Sequence, residues 1–116
     1  MELEELKAQL NNNIEILNNT FEALGLDASK CNVIEISESG EFDLGVEVRA
    51  VEGQSSIQQD VTIKAAAYDQ DGNIVGVTDA YLYKDSFTGF DVLWIYLNVE
   101  GAAFRTHSIK VFAKEG

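Results

Sequence analysis

The run Val61-Thr-Ile-Lys-Ala-Ala-Ala-Tyr-Asp-Gln-Asp-Gly-Asn-Ile-Val-Gly76 restricts the possible folds of this chain more than any other stretch. Two apolar segments are hinged on a polar turn carrying Asp71-Gly72. Such a turn needs positive φ, which glycine supplies without strain, so the pattern predicts a β-hairpin. A lone hairpin does not hold in water, so the flanking segments must be strands as well.

Their patterns agree with that requirement. Cys31 to Ser37 reads as a first strand, and Glu38-Ser-Gly-Glu41 as a turn. Phe42 to Val51 alternates, with Phe42, Leu44, Val46, Val48 and Ala50 on one side and Asp43, Glu47 and Arg49 on the other, as a half-buried antiparallel strand does. A third strand from about Gln58 sets Val61, Ile63, Ala65 and Ala67 inward. Small residues there imply either close approach of an opposing sheet or room for a large aromatic. A fourth strand, Asn73 to Tyr83, has a broken pattern that predicts a bulge near Gly76 to Asp79. Phe90 to Val99 is apolar on both faces, which predicts a central strand or an outer face covered by another element, the N-terminal helix being the obvious cover. Arg105 to Lys114 closes the set with Ile109, Val111 and Ala113 inward. The expected class is mainly β: an immunoglobulin-like antiparallel sandwich of about six strands at residues 31–116.

Ahead of it, residues 1–26 read as one amphipathic helix. Leu3, Leu6, Leu10, Ile14, Leu17, Phe21 and Leu24 recur at spacings of three and four, and Gly25 follows as a C-cap. Their eleven-residue period predicts a nearly straight rod. Asn11, Asn12, Asn13, Asn18 and Asn19 are poor helix formers, so the stripe must be covered. Self-association into a homodimer or higher oligomer is the first expectation, and docking on the chain's own sandwich the second.

At the hairpin and the strand entry beyond it, the chain resembles the FxLYD family of bacterial immunoglobulin-like domains. The resemblance lies in Tyr68-Asp69, Asp71-Gly72 and Gly89-Phe90, and spans about Val46 to Val111. The Phe and Leu positions of the family pattern are Ala65 and Ala67 here. The resemblance implies a structural or adhesive module without catalytic residues.

Twenty Asp and Glu oppose eight Lys and Arg, giving a formal charge of −12. That charge disfavours nucleic acid and anionic membranes, and serves solubility or a cationic partner. No apolar run reaches the ~20 residues of a membrane span, and the acidic start is not a secretory signal. The chain as written reads as cytoplasmic, with an extracellular place open if a leader was removed. Cys31 is the single cysteine, so an internal disulfide is excluded, and a buried thiol is the expected role. His107 is also alone and reads as a solvent-facing strand residue.

Asp69, Asp71 and Asn73 alternate as in calcium loops, but the twelfth position is Ala80 and no helices flank them. The turn itself accounts for these residues, and a surface calcium site is the alternative. Acidic pairs such as Asp79 with Asp85, or Glu35 with Glu38, lack any diagnostic spacing, and no phosphate-loop or nucleophile motif occurs. The expectation is therefore a non-enzymatic interaction module without a cofactor. Tyr81, Tyr83, Phe87, Trp94 and Tyr96 are its densest aromatic group. They serve either as core and rim or as a face for carbohydrate or peptide.

Overall fold

A computed structural model describes residues 2–116 of the chain. Among these residues, two sheets pack face to face. Their strands are β1 (Ile14–Ile16), β2 (Leu26–Ile36), β3 (Phe42–Ala50), β4 (Val61–Tyr68), β5 (Ile74–Leu82), β6 (Phe90–Leu97) and β7 (Ser108–Glu115). One sheet runs β1-β7-β4-β5 and the other β2-β3-β6. All pairings are antiparallel except β1 with β7, which run parallel with Ile14 opposite Ile109 and Ile16 opposite Val111.

The organising hairpin is present. Asp69 N–H donates to the Asn73 carbonyl at 2.8 Å, and Gly72 alone in the turn has positive φ, +84°. Asp69 and Asn73 do not adopt positive φ. The Asp69 carboxylate instead accepts the backbone N–H groups of Asp71 and Asn73, both at 2.9 Å, which tightens the loop. The register slips between Ala67 and Tyr68, leaving Val75 as the extra residue of β5, at the near side of the expected bulge.

Alternation places the core. Phe42, Leu44, Val46 and Val48 of β3 are buried, as are Val61, Ile63, Ala65 and Ala67 of β4 and Ile109, Val111 and Ala113 of β7. The alanines of β4 have the expected use: Phe42, Leu44, Leu97 and Ile109 gather around Ala65 and Ala67.

The N-terminal segment departs from expectation. Among the described residues, 2–26 are not one helix; α1 covers Leu3–Asn11, β1 follows, and α2 covers Asn18–Glu22. The asparagine run ends the first helix by offering the backbone other partners. Asn13 donates its amide to the Gln9 carbonyl at 3.0 Å, and the Asn11 side chain accepts the Val33 N–H at 2.6 Å. Ile14-Glu-Ile16 then follows its β-branched preference and joins β7. The apolar stripe is therefore divided among three elements and docks on its own domain. Leu6, Leu10 and Phe21 are buried in the common core, with Leu3, Ile14 and Leu24 packed against it, and Leu17 is partly buried. Its buried members are unavailable to a second copy, and residues 2–26 share one core with the sandwich instead of forming a domain.

Two smaller differences follow from local pairing. Strand β2 starts at Leu26, five residues before Cys31, because Leu26 pairs with Ala50. A third helix, α3 (Ala102–Arg105), precedes β7 and is tied to the β2–β3 turn, where Gly101 N–H donates to the Ser39 carbonyl and Ala103 N–H to the Gly40 carbonyl.

Candidate functional site: the outer face of the three-stranded sheet

Strand β6 turns Ile95 and Leu97 inward, and both are buried. The intervening positions point the other way, because successive side chains of a strand alternate. Phe90 is 50% exposed, Val92 45%, Trp94 62% and Tyr96 48%. The N-terminal helix, expected as the cover for this strand, packs against β2 at the far edge of the sheet instead. A column of four large apolar side chains thus stands on one outer face.

Register across the sheet sets their neighbours. Tyr96 lies opposite Asp43, Trp94 opposite Gly45, Val92 opposite Glu47 and Phe90 opposite Arg49. On the far side of β3, Asp43 faces Glu35, Gly45 faces Asn32 and Glu47 faces Lys30. A bulge between Val33 and Glu35 frees Ile34, whose Cδ1 lies 3.1 Å from the place a Cβ on Gly45 would take. Beside the indole, the place of the missing Gly45 side chain is therefore filled by Ile34.

The polar groups of this face are distinctly arranged. Arg49 pairs with Glu47 at 3.0 Å and lies over the Phe90 ring, 5.7 Å from its centroid. Tyr96 donates its hydroxyl to Glu41 at 3.1 Å. Hydrogen bonds from Ser39 and then Tyr96 hold the Glu41 carboxyl below its ordinary value. Desolvation, followed by the charge of Glu35, raises that of Asp43. Partial desolvation, and then the Glu41 carboxylate, raise the Tyr96 phenol.

The edge of β6 is partly closed to strand addition. The Asp91 carboxylate accepts the Val92 N–H at 2.8 Å, and the Thr78 hydroxyl donates to the Tyr96 carbonyl at 2.9 Å. Two main-chain groups of this strand are thereby occupied, leaving the side-chain face as the more accessible feature.

Sequence reading grouped five aromatics, and the structure divides them. Trp94 and Tyr96 share the β6 face. Tyr81 and Tyr83 stack on each other at 6.4 Å between ring centroids, on and just beyond β5 of the other sheet. Phe87 is buried and is removed from the candidate face. Phe90, Val92 and Ile34 complete the face instead. The alternation of Phe90, Val92, Trp94 and Tyr96 was a visible signal for most of this, while Ile34 depends on a bulge that sequence does not mark.

The other candidates are accounted for locally. Asp69 of the calcium-like triplet is engaged in its own turn, and no cluster of three His, Cys, Asp or Glu with metal-holding geometry exists among the described residues. Asp79 pairs with Lys64 at 3.4 Å. Cys31, expected as a buried thiol, is only partly buried against the core, and desolvation pushes its thiol up to about 12. His107 is exposed just ahead of β7, its N–H donated to the Tyr68 carbonyl at 2.7 Å. An open groove of ≈ 650 Å³ runs beside Glu22, Asp27, Arg49 and Glu52. No described helix is long and apolar enough to cross a membrane. Comparison of the chain with protein-family models, curated proteins and solved structures found no match.

Proposed function

We propose that this domain is a non-enzymatic interaction module that engages a protein segment through the outer face of the β2-β3-β6 sheet. One observation carries the reading: Phe90, Val92, Trp94 and Tyr96 form a continuous exposed column on a single strand. Contiguous apolar surface of this kind marks interaction sites, and Trp and Tyr are the side chains that most often anchor them. The fixed spacing of alternate residues along β6 suits an extended peptide better than a small molecule.

The layer order supports an immunoglobulin-like reading, with three strands facing four and β1 taking the outer place beside β7. The FxLYD resemblance points to the same class. Its Tyr68-Asp69 lies at the end of β4, its Asp71-Gly72 in the hairpin turn and its Gly89-Phe90 at the entry to β6.

The test is a titration of the ¹⁵N-labelled domain with extended peptides and, as a second probe class, short oligosaccharides. Peptide-induced shifts confined to β6 and the facing positions of β3, abolished by Trp94→Ala in a domain of unchanged circular dichroism, are the expected result. Shifts centred on the Glu22–Glu52 groove instead would place the binding surface elsewhere.

A further inference from the structure

The outer face is unevenly charged, and its occupant can be specified from that. Glu35, Asp43 and Tyr96 form one row across the three strands, with Glu41 hydrogen-bonded to the same Tyr96. No Lys or Arg stands in that row. The two cations of the face, Lys30 and Arg49, lie toward the other end, where both have Glu47 beside them, Lys30 in register with it and Arg49 ion-paired to it. Counting Asp27, which faces Arg49, five carboxylates of the sheet and its β2–β3 turn oppose two cations, and Glu4 and Lys7 of α1 add one of each sign beside Ile34 and Glu35. A second copy stacked on it would bring like charge against like charge, so the surplus favours a cationic partner over self-pairing.

The column also shows how it would hold a cation. At its Phe90 end a guanidinium already lies over an aromatic ring while paired to a neighbouring carboxylate. Four residues along, Trp94 and Tyr96 repeat the aromatic side and Asp43 the carboxylate side, but no basic residue of this chain supplies the cation. The place of the missing Gly45 side chain is taken by Ile34, an apolar wall against which the aliphatic stem of an Arg or Lys over the indole can lie.

We infer that the occupant is an extended, basic peptide segment, with an Arg or Lys seated over Trp94 beside Asp43 and its apolar residues laid along Val92 and Phe90. This inference rests on the interaction-module reading and specifies its ligand class. Indole is the strongest common partner for a side-chain cation, and a nearby carboxylate adds charge pairing at a partly desolvated position.

Trp94 is the only tryptophan, so its fluorescence reports this position alone. The probe is an extended peptide alternating Arg with Val, compared with peptides carrying citrulline or Glu in place of Arg. The expected result is saturable change in Trp94 emission with the Arg peptide, weakened about 3- to 10-fold by citrulline. Asp43→Asn should weaken it to a similar extent and reduce its salt dependence, while Asp71→Asn, in the β4–β5 turn, leaves it unchanged. Equal binding of the citrulline or Glu peptide, or indifference to Asp43→Asn, would overturn the ligand class. If those neutral or acidic peptides still shift β6 amides, the face survives and only its basic ligand falls. If no peptide or oligosaccharide shifts β6 amides, both readings fall. Concentration-dependent burial of Trp94 in the free protein would assign the face to a second copy and also overturn the inference.

Discussion

Gly40 shows how one hydrogen atom in place of a methyl group fixes a junction. Its φ is +91°, and a Cβ there would lie 2.7 Å from Gly101 Cα, backbone that cannot swing aside. Gly40→Ala should therefore cost about 2 kcal/mol or more in denaturant unfolding, combining left-handed strain with a steric clash. Gly53→Ala, at φ +72° with nothing within 4 Å, should cost only about 1 kcal/mol. Cys31 offers a second check. Because burial raises its thiol to about 12 in the folded chain, the native state keeps a proton that the unfolded state releases near 9. Its contribution to stability is complete below about pH 9 and declines as pH rises toward 12. Cys31→Ala should flatten that alkaline decline in pH-dependent unfolding, and at pH 8 a thiol reagent should label native Cys31 far more slowly than unfolded chain. At Glu41 the order of causes is testable by NMR titration. Removing the hydroxyl of Ser39 should raise its pKa more than Tyr96→Phe does.

At the scale of elements, the instructive case is the segment from Leu3 to Leu24. Thr20 of α2 accepts the Ala113 N–H at 3.0 Å and donates to the Leu17 carbonyl at 2.7 Å, joining α2 to the last strand. Thr20→Val keeps the shape but leaves that N–H without a partner, and should cost about 1–3 kcal/mol. Faster amide exchange at Ala113 would locate the loss. The strands are readable because β3 and β7 each alternate over a full length with one face buried, while β4 is marked by its hairpin turn although Thr62 and Ala66 of its other face are buried too. A single helix is the wrong inference from periodicity alone, because Leu10, Ile14, Leu17 and Phe21 satisfy a helical spacing that three separate elements also satisfy once packed on one core. Asn11-Asn12-Asn13 was the sign of the break, and its weight came from hydrogen bonds to Val33 and Gln9 that a periodicity cannot contain. The exposed column on β6 was half legible. Alternation put Phe90, Val92, Trp94 and Tyr96 together, but whether α1 would cover them depended on where α1 docked.

Across the whole molecule, charge is the dominant unbalanced quantity. The formal charge is −12, while ion pairs among the described residues number two, Arg49–Glu47 and Lys64–Asp79. Salt therefore screens far more repulsion than attraction, and added NaCl should raise the thermal midpoint, most steeply below about 0.1 M where the screening length exceeds about 10 Å. A flat or falling midpoint would contradict this balance. The same surplus opposes the pairing of two copies through the exposed apolar column. The parallel pairing of β1 with β7 has a further consequence for the chain as it is made. Residues 14–16 leave the ribosome well before residues 109–111, the strand that completes their hydrogen bonds. Those bonds must wait until residues 109–111 have been made, so the seating of β1 against β7 is a natural late act of folding.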